Sequence, residues 1–185
     1  MSIFNVQIVD AEYVKQNSDI EFNVETRLID NSIMLSQRID LLQLIGQELY
    51  VEVMTAVSGG TESSNQLTLI NDYILPYVTQ RAVYHLLPSL HGKIRNSNVV
   101  SQNSENSNAI DLQELKYKRD IQANLSQFLG ERLVNFLCLN ITDYPTYRTV
   151  TNKTDLIGRK QSYIGGIVLP DTSQINRNYD DSKNY

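Results

Sequence analysis

Apolar residues recur at three- and four-residue steps through 111–140, at Leu112, Leu115, Ile121, Leu125, Phe128, Leu129, Leu133, Phe136 and Leu137. That spacing places them on one broad face of an α-helix. Lys116, Lys118, Arg119, Asp120, Gln127, Glu131 and Arg132 fall largely elsewhere. Asp111 is an expected N-cap, with Glu114 completing a capping-box-like start. Asn140 and then Tyr144-Pro145 end the helix, because proline holds the residue before it away from helical dihedrals. A face this wide requires other helices to cover it.

The rest of the chain predicts them. Ser32 caps a helix over 32–45, and a second runs over 47–57. Gly46 lies between them and marks a bend or break, since glycine inside a helix costs about 1 kcal/mol. A third helix is expected over 66–90, kinked at Pro76, where the ring removes a backbone bond, with Pro88 as its end or a second bend. The core is expected to gather Leu42, Leu49, Val53, Ile74, Leu86, Leu125, Leu129, Leu133 and Phe136. Residues 3–9 suit an edge strand or extended arm, and 11–29 mix a short helix with an extended piece around Ile20, Phe22 and Val24. The stretch 96–109 is nearly all Ser, Asn and Gln and reads as a flexible loop, dispensable for folding. The fold class is therefore mainly α: a small bundle with extended N- and C-terminal arms. Its divisions fall at 1–31, 32–147 and 148–185.

Composition narrows the function. The 185 residues are 41% hydrophobic and 20% charged, ordinary for a globular protein. A net charge of −5 argues against a general nucleic-acid binder. No apolar run approaches the ~18 residues of a membrane span. The start, MSIFNVQIVDAEY, lacks the pattern of a secretory signal. Cys138 is the sole cysteine, so no intrachain disulfide forms, and it reads as a small buried hydrophobe.

Catalytic constellations are missing from the pattern. His85 and His91 have no cysteine or carboxylate at metal-ligand spacing, and His85 on an apolar helix reads as a hydrogen-bonded core or interface residue. Gly59-Gly60 and Gly165-Gly166 lack the flanks of a phosphate loop, and no G-x-S-x-G elbow occurs. The acidic pairs Asp10/Glu12 and Asp180-Asp181 read as solvated surface. No enzyme, cofactor or metal is expected.

The order of the motifs carries a resemblance. AEYVK and FNVETRLI open the chain, and SIMLSQRIDLLQLIGQELYVEVM follows with Leu44-Ile45-Gly46 and Leu49-Tyr50. LINDYILPYVTQRAVYHLLPSL, a Ser/Asn loop, ERLVNFLCLN and YPTY complete the series. Over residues 3–147 this resembles the head–tail connector (adaptor) proteins of tailed bacteriophages, in particular structural proteins of phages infecting Bacteroidetes, including the crAss-like group. The resemblance implies a non-enzymatic virion protein, made in the host cytoplasm and placed in the neck. It implies a homo-oligomeric ring, commonly twelve-fold, between the portal protein and the next tail or neck ring, with transient non-specific contact to DNA and none to membrane. The alternative is a monomeric helical protein-binding module of regulator or immunity type.

Residues 148–185 lie outside that resemblance. Tyr163, Ile164, Ile167, Val168 and Leu169 form an apolar, β-prone island between polar flanks, with Gly165-Gly166 inside it. Arg148, Arg159 and Lys160, with Lys153, precede it and could pair with an acidic portal or neighbour surface. These residues are the expected partner-binding set of an assembly arm. The alternative is that the island folds back on its own bundle.

Overall fold

In the computed structural model, residues 5–94, 99–101, 112–151 and 154–160 are described. The fold is mainly α. Asp10 caps α1 (Ala11–Gln16), its carboxylate accepting from Tyr13 N at 2.7 Å. Helix α2 (Thr26–Leu35) continues through a π-helical stretch, Ser36–Leu41, into α3 (Leu42–Ile45). Gly46, at φ +78°, breaks the rod before α4 (Gln47–Gly59). Ser63 and Gln66 form a reciprocal capping box for α5 (Ser64–Leu69). A second π-helical stretch, Ile70–Ile74, leads into α6 (Leu75–His91). A short antiparallel hairpin follows, with β1 (Gly92–Ile94) and β2 (Val99–Ser101) in the register Gly92↔Ser101. Then come α7 (Leu112–Leu139) and a 3-10 turn at Pro145–Arg148.

Helix α6 is the central element, packed by α2 and by α7. Ile29, Ile33, Leu41, Ile45, Leu49, Met54, Leu69, Ile74, Leu86 and Leu133 are fully buried around it. The disturbance expected at Pro76 is the π-helical turn directly before it. Proline has no N–H to direct at the preceding turn, and widening that turn accommodates the loss. Pro88 does not end the helix, which continues to His91.

Several expectations need correction. The division at residue 32 falls inside a helix, because α2 begins at Thr26. Segment 1–31 is also not wholly extended, since α1 forms within it and Val9, Ala11, Val14, Ile20 and Ile29 enter the core. Residues 5–9 are not in a sheet. They are held instead by buried Gln37, which accepts from Ile8 N and donates to Val6 O, both at 3.0 Å. The expected loop 96–109 contributes β2, whose β-branched Val99-Val100 suits a strand. The remaining positions of that loop, and Asp111, are outside the described residues.

The largest correction concerns α7. Its buried line is Ser126, Gly130, Leu133, Val134 and Leu137, displaced from the apolar face that its sequence presents. Leu125, expected in the core, is 41% exposed, while Leu42, Leu129 and Phe136 are only partly buried. Close approach is the reason. A Cβ on Gly130 would come within 3.1 Å of the Tyr77 ring and 3.2 Å of Leu44 Cδ1. The helix thus seats its smallest residues against α6 and α3, which turns Ile121, Leu125 and Phe128 outward.

Candidate functional site

Three features stand out, and the first is a latch at the Gly46 break. Leu44 O and Gln47 N face the two sides of the break with no helical partner. The chain beyond the 3-10 turn returns to pair with them: Arg159 N donates to Leu44 O at 2.9 Å, and Gln47 N to Leu156 O at 2.8 Å. Gly46 and Ile157 form an isolated antiparallel bridge. Asp155 N donates to Gln47 Oε1, and the Thr151 and Thr154 hydroxyls donate to Glu48 Oε1, each at 2.6 Å. The strap 154–160 crosses at Gly158, where any Cβ would strike Tyr147. Tyr147 is buried and donates its hydroxyl to Arg159 O. Burial pushes the Tyr147 phenol well above its ordinary range.

The second feature is a groove of 420 Å³ between the α2–α3 rod, α6, α7 and the strap. At its edge Asp40 accepts from Arg81 Nη2 at 2.7 Å and from His85 Nε2 at 2.6 Å. Burial raises the Asp40 pKa, but the bonds from His85 and Arg81 outweigh it and hold the carboxyl below its usual value. Burial likewise opposes charge on Arg81, and Asp40 more than restores it. Arg81 and Arg119 place their guanidinium carbons 4.5 and 4.6 Å from the Tyr84 ring centroid. This stack joins α6 to the N-terminal half of α7, where apolar contacts are sparse. Opposed charges, no open nucleophile and half-buried ion pairs make it a structural joint.

The third feature is the outward face of α7. Ile121, Leu125 and Phe128 are 45%, 41% and 63% exposed, and Leu125 and Leu129 border a shallow pocket with Tyr13, Pro76 and Gln80.

Of the expected partner-binding residues, Arg159 and Lys160 are exposed and line the groove with Asp40 and Arg81. Arg148 is exposed at the end of the 3-10 turn, apart from that groove. Tyr163, Ile164, Ile167, Val168 and Leu169, like Lys153, lie outside the described residues. The joint Asp40–Arg81–His85 was not apparent in the sequence, because its members are 41 and 45 residues apart. Among the described residues no cluster of His, Cys, Asp or Glu is placed to hold a metal ion. Nor is any helix there long and apolar enough to cross a membrane.

Residues 41–156 match the profile of DUF6712, a family of unknown function. The chain belongs to this family. The DUF6712 stretch opens at the last turn before the Gly46 break and closes at Leu156, so it contains both sides of the Gln47–Leu156 contact. Helices α1 and α2 and the end of the strap lie outside it. No curated protein and no solved structure matches the chain.

Proposed function

We propose that the chain is a virion structural protein, a head–tail connector subunit whose ring joins the portal to the tail and extends the DNA channel. The observation that carries this reading is the outward face of α7. The best helix of the fold leaves three large hydrophobic residues in water on one side, and such a patch favours association. Subunits of a ring bury such faces through heterologous contacts, one patch meeting a different patch on the next copy.

Two further points support it. The latch holds 154–160 against the break at Gly46, which fixes the point from which a chain beyond Lys160 would reach a neighbour. A net charge of −5 suits a channel past which DNA slides, since phosphate affinity comes mainly from Lys and Arg. The resemblance of the motif order to that of phage adaptor proteins points the same way. The proposed partners are further copies of the chain in a twelve-membered ring, the portal protein and the next neck ring. No catalytic role is proposed.

Quantitative mass spectrometry of purified particles tests the reading. The protein should be present at the copy number of the portal or a simple multiple of it. A monomer that is absent from particles would instead be the helical binding module.

A further inference from the structure

Thr79 departs from a pattern set by other helical hydroxyls of this fold. Ser32 bonds back to Leu28 O at 2.9 Å, Thr55 to Val51 O at 2.7 Å and Thr68 to Ser64 O at 3.1 Å. Thr79, within α6, is 1% exposed, and its hydroxyl is buried with no hydrogen-bond partner. A buried hydroxyl left unpaired is destabilising, so the position needs a reason. Thr79 also lines the shallow pocket, a cavity of 200 Å³ where three helices meet. Helix α1 and its C-cap bring Tyr13 and Asn17, α6 brings Pro76 and Gln80 beside Thr79, and α7 brings Leu125 and Leu129. Each helix thus offers a pair four residues apart, two side chains stacked one turn from each other. Pro76, Leu125 and Leu129 make the wall apolar, and none of the lining residues is charged. Gln80 ties α6 to α1, its Nε2 donating to Asn17 O at 3.4 Å.

We infer that this pocket receives a tyrosine side chain of a partner protein, whose phenol hydroxyl pairs with Thr79. Size supports a single ring. A cavity of about 150 Å³ holds benzene, and 200 Å³ leaves room for a ring with a hydroxyl. Pockets for free small molecules begin at about 300 Å³, so a side chain held in place by the rest of its own chain is the better occupant. Polarity selects tyrosine. A lining without charge gives an ionised tip no partner, and phenylalanine would leave the Thr79 hydroxyl as it is. Tyrosine joins an apolar body to a polar tip, and such rings in pockets anchor protein interfaces. Threonine in a helix takes two rotamers, so the hydroxyl can turn to meet the phenol. The inference goes beyond the connector reading, because the lining of one pocket carries it and not the number of copies in a particle.

Amide NMR titrations of the full chain test it, with p-cresol standing in for tyrosine and toluene for phenylalanine. p-Cresol should shift the amides of Thr79, Gln80, Leu125 and Leu129 and bind roughly three- to tenfold more tightly than toluene, the worth of one hydrogen bond. Thr79→Val keeps the shape and removes the hydroxyl. It should melt at or above the temperature of the parent and bind the two compounds equally. Leu125→Trp, at an exposed position, should close the mouth and abolish both without changing the circular dichroism. No shift at these amides, equal binding to the parent, a preference that survives Thr79→Val, a marked fall in that variant's melting temperature, or binding that survives Leu125→Trp would each overturn the inference. The peptide Gly-Gly-Tyr-Gly-Gly should shift the same amides as p-cresol. A pocket that takes p-cresol and refuses the peptide would be a site for a free phenol, which overturns the protein partner. Absence of the protein from particles would sink the ring and leave these titrations untouched.

Discussion

Asp40 accepts from two partners with one carboxylate, and it is the residue whose chemistry most tightly joins α6 to the rod before Gly46. Its side chain is 12% exposed, so Asp40→Asn should cost about 1–3 kcal/mol at pH 7, as expected when one partner of a charged hydrogen bond is lost. The sign of the pH dependence follows from the lowered pKa. The contribution is complete above the ordinary carboxyl value of 3.8 and is lost as the pH falls through the lower folded value. Denaturant titrations of both proteins at pH 7 and near pH 3 should show the gap narrowing in acid. A gap of the same size at both would refute the ion-pair account. Gly46→Ala is the companion case. With φ +78° and ψ 163° the position belongs to glycine, at a cost of about 1–3 kcal/mol for other residues. The new Cβ would also meet Gly158 N. A melting temperature unchanged in this variant would mean that the strap does not sit where it is described.

Elements were legible in the sequence wherever local rules decide them. The helices at 47–57, 66–90 and 111–140 were anticipated to within two residues, as was the break at Gly46, because periodicity and capping are short-range signals. What sequence could not supply was the rotation of α7 about its own axis. Periodicity selects the most apolar face, but packing selected the thinnest one, through Ser126 and Gly130. The strap was equally hidden, since its partners beside the Gly46 break lie 106 to 115 residues away. It also sets the outcome of truncation. A chain ending after Tyr147 loses the partners of Leu44 O, Gln47 N and the Tyr147 hydroxyl, each worth about 1 kcal/mol. Its melting temperature should fall measurably below that of a chain ending after Lys160. Limited proteolysis of the free protein should spare 154–160. Rapid cleavage inside the strap would count against the latch. Leu133→Ala, on the true inner line of α7, should cost about 2–5 kcal/mol, and Leu125→Ala far less.

For the molecule as a whole, the described residues form a bundle with a buried core and an exposed apolar side on α7. If that side is a subunit contact, paired aspartates at Ile121 and Phe128 should leave the monomer folded and remove it from particles, a result read by particle mass spectrometry beside circular dichroism. Equal incorporation of that variant would place the subunit contact elsewhere. The strap also orders events during synthesis. Gln47 is made early, yet its partner Leu156 is translated more than a hundred residues later. At about 5–20 residues per second the nascent chain waits several seconds with the break unclosed. A chain released between residues 148 and 153 carries α1 to α7 but leaves Leu44 O and Gln47 N without these partners. The closing of the break at Gly46 thus waits on the translation of Leu156 and Arg159, the residues that pair with its two sides.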